Sequence, residues 1–257
     1  MTDVLSRTLF TAATLALVTA CGERPRNAAS TSTVAGARNL LLVVDGGFTS
    51  CISGSYNGIS VVTNTMTKHV LALREKLRPL LAQHGAQLSI FMTCYRQDAA
   101  IHYWSSDKIQ SQTTNSVDDL VNEVDREAGR HGNPRIVVIG YSYGGWLSLK
   151  MVEGLSGKRF VDDYVSIDPI SRATCTFQSP YGCRTAPADI TPQERQRIKD
   201  NSGYWTNYYQ NENPILHSSS IQEADHNVLL SATHMGIKDV QIIWNGVYDR
   251  ISQTLYR

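Results

Sequence analysis

The sequence predicts an α/β fold in which a mostly parallel sheet is flanked by helices. Short runs of nearly unbroken apolar residues alternate along the chain with segments whose apolar residues step by three and four. The runs are apolar on successive positions, as strands covered on both faces by helices must be. Gly, Asn, Asp and Pro punctuate the junctions between the two kinds of segment.

Residues 39–44 (NLLLVV) form the first strand, closed by the turn-forming Asp45-Gly46-Gly47. Val62, Met66, Val70, Leu73, Leu77 and Leu81 then mark one face of a helix, with Pro79 expected to loosen its last turn. Residues 87–93 (QLSIFMT) read as the next strand. Ser116-Val117-Asp118-Asp119 resembles a capping box and opens a helix carrying Leu120, Val121 and Val124. Pro134 introduces the strongest strand, residues 135–139 (RIVVI), which is followed by a helix over 144–155 and a strand over 164–168 (YVSID). Thr191-Pro192-Gln193-Glu194 supplies a capping box with Pro at the first helical position. Residues 205–210 (WTNYYQ) and 228–230 read as two further strands. Ile237, Val240, Trp244, Val247, Ile251 and Leu255 line one face of a terminal helix. No internal repeat and no boundary is visible after residue 38, so residues 39–257 read as one domain.

Composition narrows the function. With 42% hydrophobic and 18% charged residues, the 257-residue chain can bury a core. Its 24 Lys and Arg balance 23 Asp and Glu, and no basic stripe runs along it, so a nucleic-acid partner is not expected. The first twenty residues read as a signal peptide. Arg7 gives a weak positive start, and the apolar run after it is too short to span a bilayer. That run ends in Val18-Thr19-Ala20-Cys21, which resembles a bacterial lipobox, and the resemblance implies a lipid anchor on Cys21. Residues 21–38, rich in Ala, Ser, Thr, Asn and Arg, then form a flexible tether. The location implied is the bacterial cell envelope, with the chain attached to the membrane through its anchor.

Cysteine usage agrees with export. Setting Cys21 aside leaves Cys51, Cys94, Cys175 and Cys183, an even set that would mature in an oxidising compartment. Cys175 and Cys183 are close enough in sequence to staple one loop, and Cys51 and Cys94 each follow a predicted strand. Three pairings are open. No Cys-x-x-Cys or close Cys/His pair suggests zinc, and no cofactor is indicated.

Chemistry concentrates at Gly140-Tyr141-Ser142-Tyr143-Gly144, a Gly-x-Ser-x-Gly turn entered from the strongest strand and left by a helix. Flanking glycines let neighbouring backbone pass a strained serine without Cβ clashes. The hydroxyl would stand above the sheet edge at a helix N-terminus, where developing negative charge is favoured.

In this motif and in its order of elements, the chain resembles the α/β-hydrolase superfamily of lipases, esterases and thioesterases, over most of residues 39–257. The resemblance implies Ser142 as nucleophile, then an acid and a histidine in that chain order. His69, His84, His102 and His131 precede the serine. Of His217, His226 and His234, the last lies just before the terminal helix, where the superfamily places its base. For the acid, Asp168 ends a strand and precedes Pro169, so it should lie at the sheet's C-terminal edge. The superfamily's commoner position is one strand later, where only Asn211 and Glu212 follow; Asp225 is a third candidate. An oxyanion hole would take the N–H of Tyr143 and a second from Gly47 or Phe48, although Asp45-Gly46-Gly47-Phe48 departs from the His-Gly-Gly-Gly pattern of many lipases.

The activity implied is hydrolysis of a small-molecule or lipid carboxylic ester or thioester, through an acyl-enzyme on Ser142, with no cofactor. Residues 171–188, with Phe177 and Tyr181, offer a small cap. Tyr141, Tyr143 and Trp146 are either pocket walls or packing. The competing reading is an envelope binding or scaffolding protein that keeps the fold without working machinery.

Overall fold

The structure, a computed structural model, describes residues 39–46, 52–56, 59–95, 101–106, 112–170, 190–212 and 216–256. Their centre is an eight-stranded sheet in the order β10-β9-β8-β7-β1-β4-β5-β6. β1 (Leu40–Asp45) lies between β4 (Leu88–Tyr95) and β7 (Arg135–Tyr141) and is parallel to both. β8 (Asp163–Ile167), β9 (Trp205–Tyr209) and β10 (His226–Leu229) extend the parallel part from β7. β5 (Ile101–Ser105) and β6 (Gln112–Thr114) continue from β4 in antiparallel fashion.

All six residues of β1 are buried, which explains its lack of a polar/apolar alternation. The pleat divides them between two cores. Leu40, Leu42 and Val44 pack with α1 (Thr67–Gln83) and α6 (Gln241–Tyr256), while Leu41 and Val43 pack with α2 (Val117–Arg130), α3 (Tyr143–Gly154) and α4 (Pro192–Asp200). Each buried Leu or Val side chain contributes about 1.5–3 kcal/mol over an exposed one.

The helices start where their side chains satisfy first-turn donors. Ser116 Oγ accepts from the N–H groups of Asp118 and Asp119 at the head of α2. Thr191 and Glu194 close a reciprocal capping box on α4. α1 presents Val70, Leu73, Leu77, Leu80 and Leu81 to the core and runs through Pro79 to Gln83.

Three local readings change. Val62 belongs to β3 (Ile59–Thr63), which pairs with β2 (Ile52–Tyr56) in a separate antiparallel hairpin, so the helical spacing from Val62 to Met66 is coincidental. The β-branched run ISVVT favours the strand. α1 starts only after Asn64, whose buried amide donates to the Val44 and Thr93 carbonyls while its Oδ1 accepts from the Met66 N–H. β5 and β6 extend the sheet where no strand was expected. The terminal helix is two pieces, α5 (His234–Ile237) and α6, broken where Trp244 Nε1 donates to the Lys238 carbonyl.

The parallel strands β1, β7 and β8 end at one edge, and the turn from β7 into α3 lies in the middle of it. Together with helices on both faces, this is an α/β architecture with a mostly parallel sheet flanked by helices, as expected. Among the described residues, no helix is long and apolar enough to cross a membrane.

Candidate active site

Ser142 occupies the single residue between β7 and α3, with φ 57° and ψ −127°. A non-glycine residue held there costs about 1–3 kcal/mol, which the surroundings must offset. They do so through backbone bonds: the Ser142 N–H donates to the Ile167 carbonyl at 3.0 Å, and its carbonyl accepts from Gly145 at 2.9 Å and Ile170 at 3.0 Å. The flanking glycines are required by close approach. A Cβ on Gly140 would lie 2.0 Å from Ser148 Oγ, and one on Gly144 would lie 2.3 Å from the Gly46 carbonyl oxygen and 2.4 Å from that of Asp45. The first α3 turn is thus seated directly on the end of β1.

His234 opens α5, and its Nε2 lies 2.8 Å from Ser142 Oγ. Its Nδ1 lies 2.7 Å from Asp168 Oδ2. A carboxylate oxygen accepts, so the proton belongs on Nδ1, which leaves the Nε2 lone pair facing the serine hydroxyl. Ser142, His234 and Asp168 are 7%, 3% and 0% exposed, which shields their hydrogen bonds from water. Tyr141 fixes the imidazole from beneath: its ring stacks on His234 with centroids 5.5 Å apart, and its hydroxyl donates to the His234 carbonyl at 2.9 Å. Burial pushes the Tyr141 phenol well above its ordinary pKa, so it stays a neutral donor.

Asp168 follows β8 with φ 42°, a left-handed conformation uncommon outside glycine. Its Oδ1 accepts from the Ser218 N–H at 2.7 Å, and its Oδ2 also accepts from Gln210 Nε2 at 2.8 Å. A buried carboxylate is tolerated because both of its oxygens are answered by donors.

The alternative acids and bases lie elsewhere. Asp225 accepts from the Trp205 N–H and pairs with Lys199, at the start of β9 and so at the opposite edge of the sheet. His226 is exposed at the start of β10. Glu212 is exposed and bonded to Ser231. His217 Nδ1 lies 3.0 Å from the Ser218 carbonyl oxygen. Among the described residues, Ser142, His234 and Asp168 are the combination that touches.

Tyr143 is the first residue of α3, and first-turn N–H groups point out of a helix N-terminus. Its ring stacks on Trp146 with centroids 5.3 Å apart; Tyr143 is buried in the α3 core, while Trp146 packs against that core and also lines a cleft with Val117, Lys150 and Arg197. Gly47, Phe48, Cys21, Cys51, Cys175, Cys183, the leader, the tether and residues 171–188 lie outside the described residues. The described residues contain no cluster of three or more His, Cys, Asp or Glu suited to a metal ion.

Two buried polar residues carry no sequence signal of their surroundings. In the sequence Gln210 is only the last letter of the strand over 205–210. Asp45 read as part of a turn, yet it is fully buried at the end of β1. One of its carboxyl oxygens accepts from the Thr93 hydroxyl, and the other has no partner among the described residues. Burial raises its pKa to about 7, only partly countered by the Thr93 bond.

No protein-family model matches the chain, and no curated protein does. Among solved structures it is similar to a putative hydrolase from Agrobacterium vitis, with 13% identity over 84% of this chain and 90% of that one and a TM-score of 0.47. It is also similar to a lipase-esterase related protein from Clostridium acetobutylicum, with 13% identity, 85% and 95% coverage and a TM-score of 0.44. The esterase domain of a Rhodothermus marinus protein gives 12% identity, 86% and 87% coverage and a TM-score of 0.44.

Proposed function

We propose that the chain is a serine hydrolase that cleaves carboxylic esters or thioesters through an acyl-enzyme on Ser142. The observation that carries the proposal is the continuous contact from Ser142 Oγ through His234 to Asp168, at 2.8 and 2.7 Å. A serine hydroxyl is a weak nucleophile at neutral pH and needs a base within hydrogen-bond reach, itself oriented by a third group. In the proposed cycle, His234 Nε2 takes the hydroxyl proton as Ser142 Oγ bonds to the substrate carbonyl carbon. Asp168 holds Nδ1–H and balances the imidazolium charge. His234 then returns the proton to the departing alcohol or thiol, and water repeats the sequence to release the acid. The Tyr143 N–H, at the head of α3, serves the developing oxyanion, with Gly47 or Phe48 as second donor. Met235, next to His234 and 64% exposed, offers an apolar contact beside the base.

The test is labelling by a fluorophosphonate, followed by a panel of p-nitrophenyl esters and acyl thioesters. Wild type should label and turn over, and Ser142→Ala should do neither. An unlabelled wild-type protein would overturn the proposal in favour of a binding or scaffolding role.

We propose further that the chain is exported to the bacterial envelope and anchored by acylation of Cys21. The lipobox-like Val18-Thr19-Ala20-Cys21 supports this, as does Cys94, buried and disulfide-bonded as expected in an oxidising compartment. Fatty-acid labelling in cells should mark the wild type and be lost in Cys21→Ser; equal labelling of both refutes the anchor.

A further inference from the structure

We infer that Gln210 is a positioning residue for the Asp168–His234 pair, an inference that rests on the catalytic reading of that pair. Gln210 follows β9 and is fully buried. Its Nε2 donates to Asp168 Oδ2 at 2.8 Å and to the Leu216 carbonyl at 2.6 Å, and its Oε1 accepts from the Glu212 N–H at 2.9 Å. These partners fix the orientation of the amide. A carboxylate and a carbonyl can only accept, so both must meet the NH2 end, while a backbone N–H must meet the oxygen.

The oxygen that Gln210 addresses is the one facing His234 Nδ1. Asp168 Oδ2 therefore serves two donors, one from the base and one from Gln210, while Oδ1 is held by the Ser218 N–H. With backbone set by the positive φ of Asp168, the remaining freedom of the carboxylate is rotation of its side chain. Bonds to Gln210 on one oxygen and Ser218 on the other remove that rotation. Gln210 also ties Leu216, two residues before Ser218, to the end of β9, so the same amide steadies the segment supplying the other donor. Removing it loosens the carboxylate and takes a donor from the Leu216 carbonyl.

The substitution Gln210→Glu distinguishes positioning from bulk. It keeps the size but replaces a permanent donor by one that exists only while a proton is present. A proton shared between Asp168 and the introduced carboxyl would mimic the native bond, and its loss would set two carboxylates against each other.

The experiment compares wild type, Gln210→Glu and Gln210→Leu in three readouts: ester kinetics against pH, thermal unfolding, and the low-field proton resonance of His234 Nδ1–H. In Gln210→Leu, kcat should fall on the order of 10- to 100-fold with little change in KM, as expected of a misplaced catalytic group. In Gln210→Glu, kcat/KM should acquire a new descending limb on the alkaline side, with activity nearest wild type below it. The low-field resonance should shift or vanish in both variants. Unchanged kcat and resonance in the folded variants would overturn the inference, as would identical pH-independent losses that follow the loss of folded protein. Because the resonance needs no turnover, an inactive wild type with a variant-sensitive resonance would sink the hydrolase proposal and leave the positioning role standing.

Discussion

Replacing Asp45 by asparagine should remove a pH-dependent load on the fold. Asp45 is fully buried, one of its carboxyl oxygens has no partner among the described residues, and burial raises its pKa from 3.8 to about 7. Below pH 3.8 the group is protonated whether the chain is folded or not, and it contributes no pH dependence. Above that, the unfolded chain releases the proton while the folded chain keeps it, so stability falls as pH rises, and the loss stops growing above about 7. The rise from 3.8 to about 7, at about 1.36 kcal/mol for each pH unit, sets the ceiling near 4 kcal/mol. Water reaching the ionised group would make the realised loss smaller, on the order of 2–4 kcal/mol. Asp45→Asn keeps the shape and an oxygen for the Thr93 hydroxyl but cannot ionise. Urea unfolding of both proteins from about pH 4 to pH 8, without reductant, gives the difference curve, in which other titrating groups cancel. The asparagine variant should gain on wild type by roughly 2–4 kcal/mol across that range, with the gain between about pH 4 and 7. A flat difference curve, or one in which wild type gains with pH, would refute the argument.

Two further predictions test the elbow and a helix start. Gly144→Ala places a Cβ against the Gly46 and Asp45 carbonyls, backbone atoms that cannot swing aside, so it should cost about 1–3 kcal/mol by urea unfolding and slow fluorophosphonate labelling sharply. A stable, fully labelled alanine variant would show that α3 does not need this contact. Ser116→Ala removes the acceptor for the Asp118 and Asp119 N–H groups and should cost about 0.5–2 kcal/mol in the same unfolding assay while leaving the labelling rate unchanged. A loss of labelling in the folded protein would couple α2 to the site in a way the structure does not suggest.

Much of the architecture was legible because it depends on local pattern. β1 and β7 are apolar at successive positions because both faces are covered, and that is visible without coordinates. Thr191 and Glu194 announce α4 because a cap needs only residues three apart. The Gly-x-Ser-x-Gly turn was legible for the same reason: strand, turn and helix are contiguous. β2, β5 and β6 are not legible because their strand character depends on antiparallel neighbours, and β3 because Val62 falls in step with the helical spacing that follows it.

The turn that lifts Ser142 is encoded locally, since its glycines and the flanking strand and helix lie within a few residues of one another. Tertiary structure alone decided which side chains meet it. His234 lies 92 positions from Ser142, and Asp168 lies 66 from His234. Only the folding of parallel strands to a common edge brings them within hydrogen-bond distance while leaving Asp225 at the opposite edge. The same holds for Asp45 and Gln210. Their letters specify a carboxyl and an amide, but burial and the donors around them come from chain remote in sequence, and those set what each group can do.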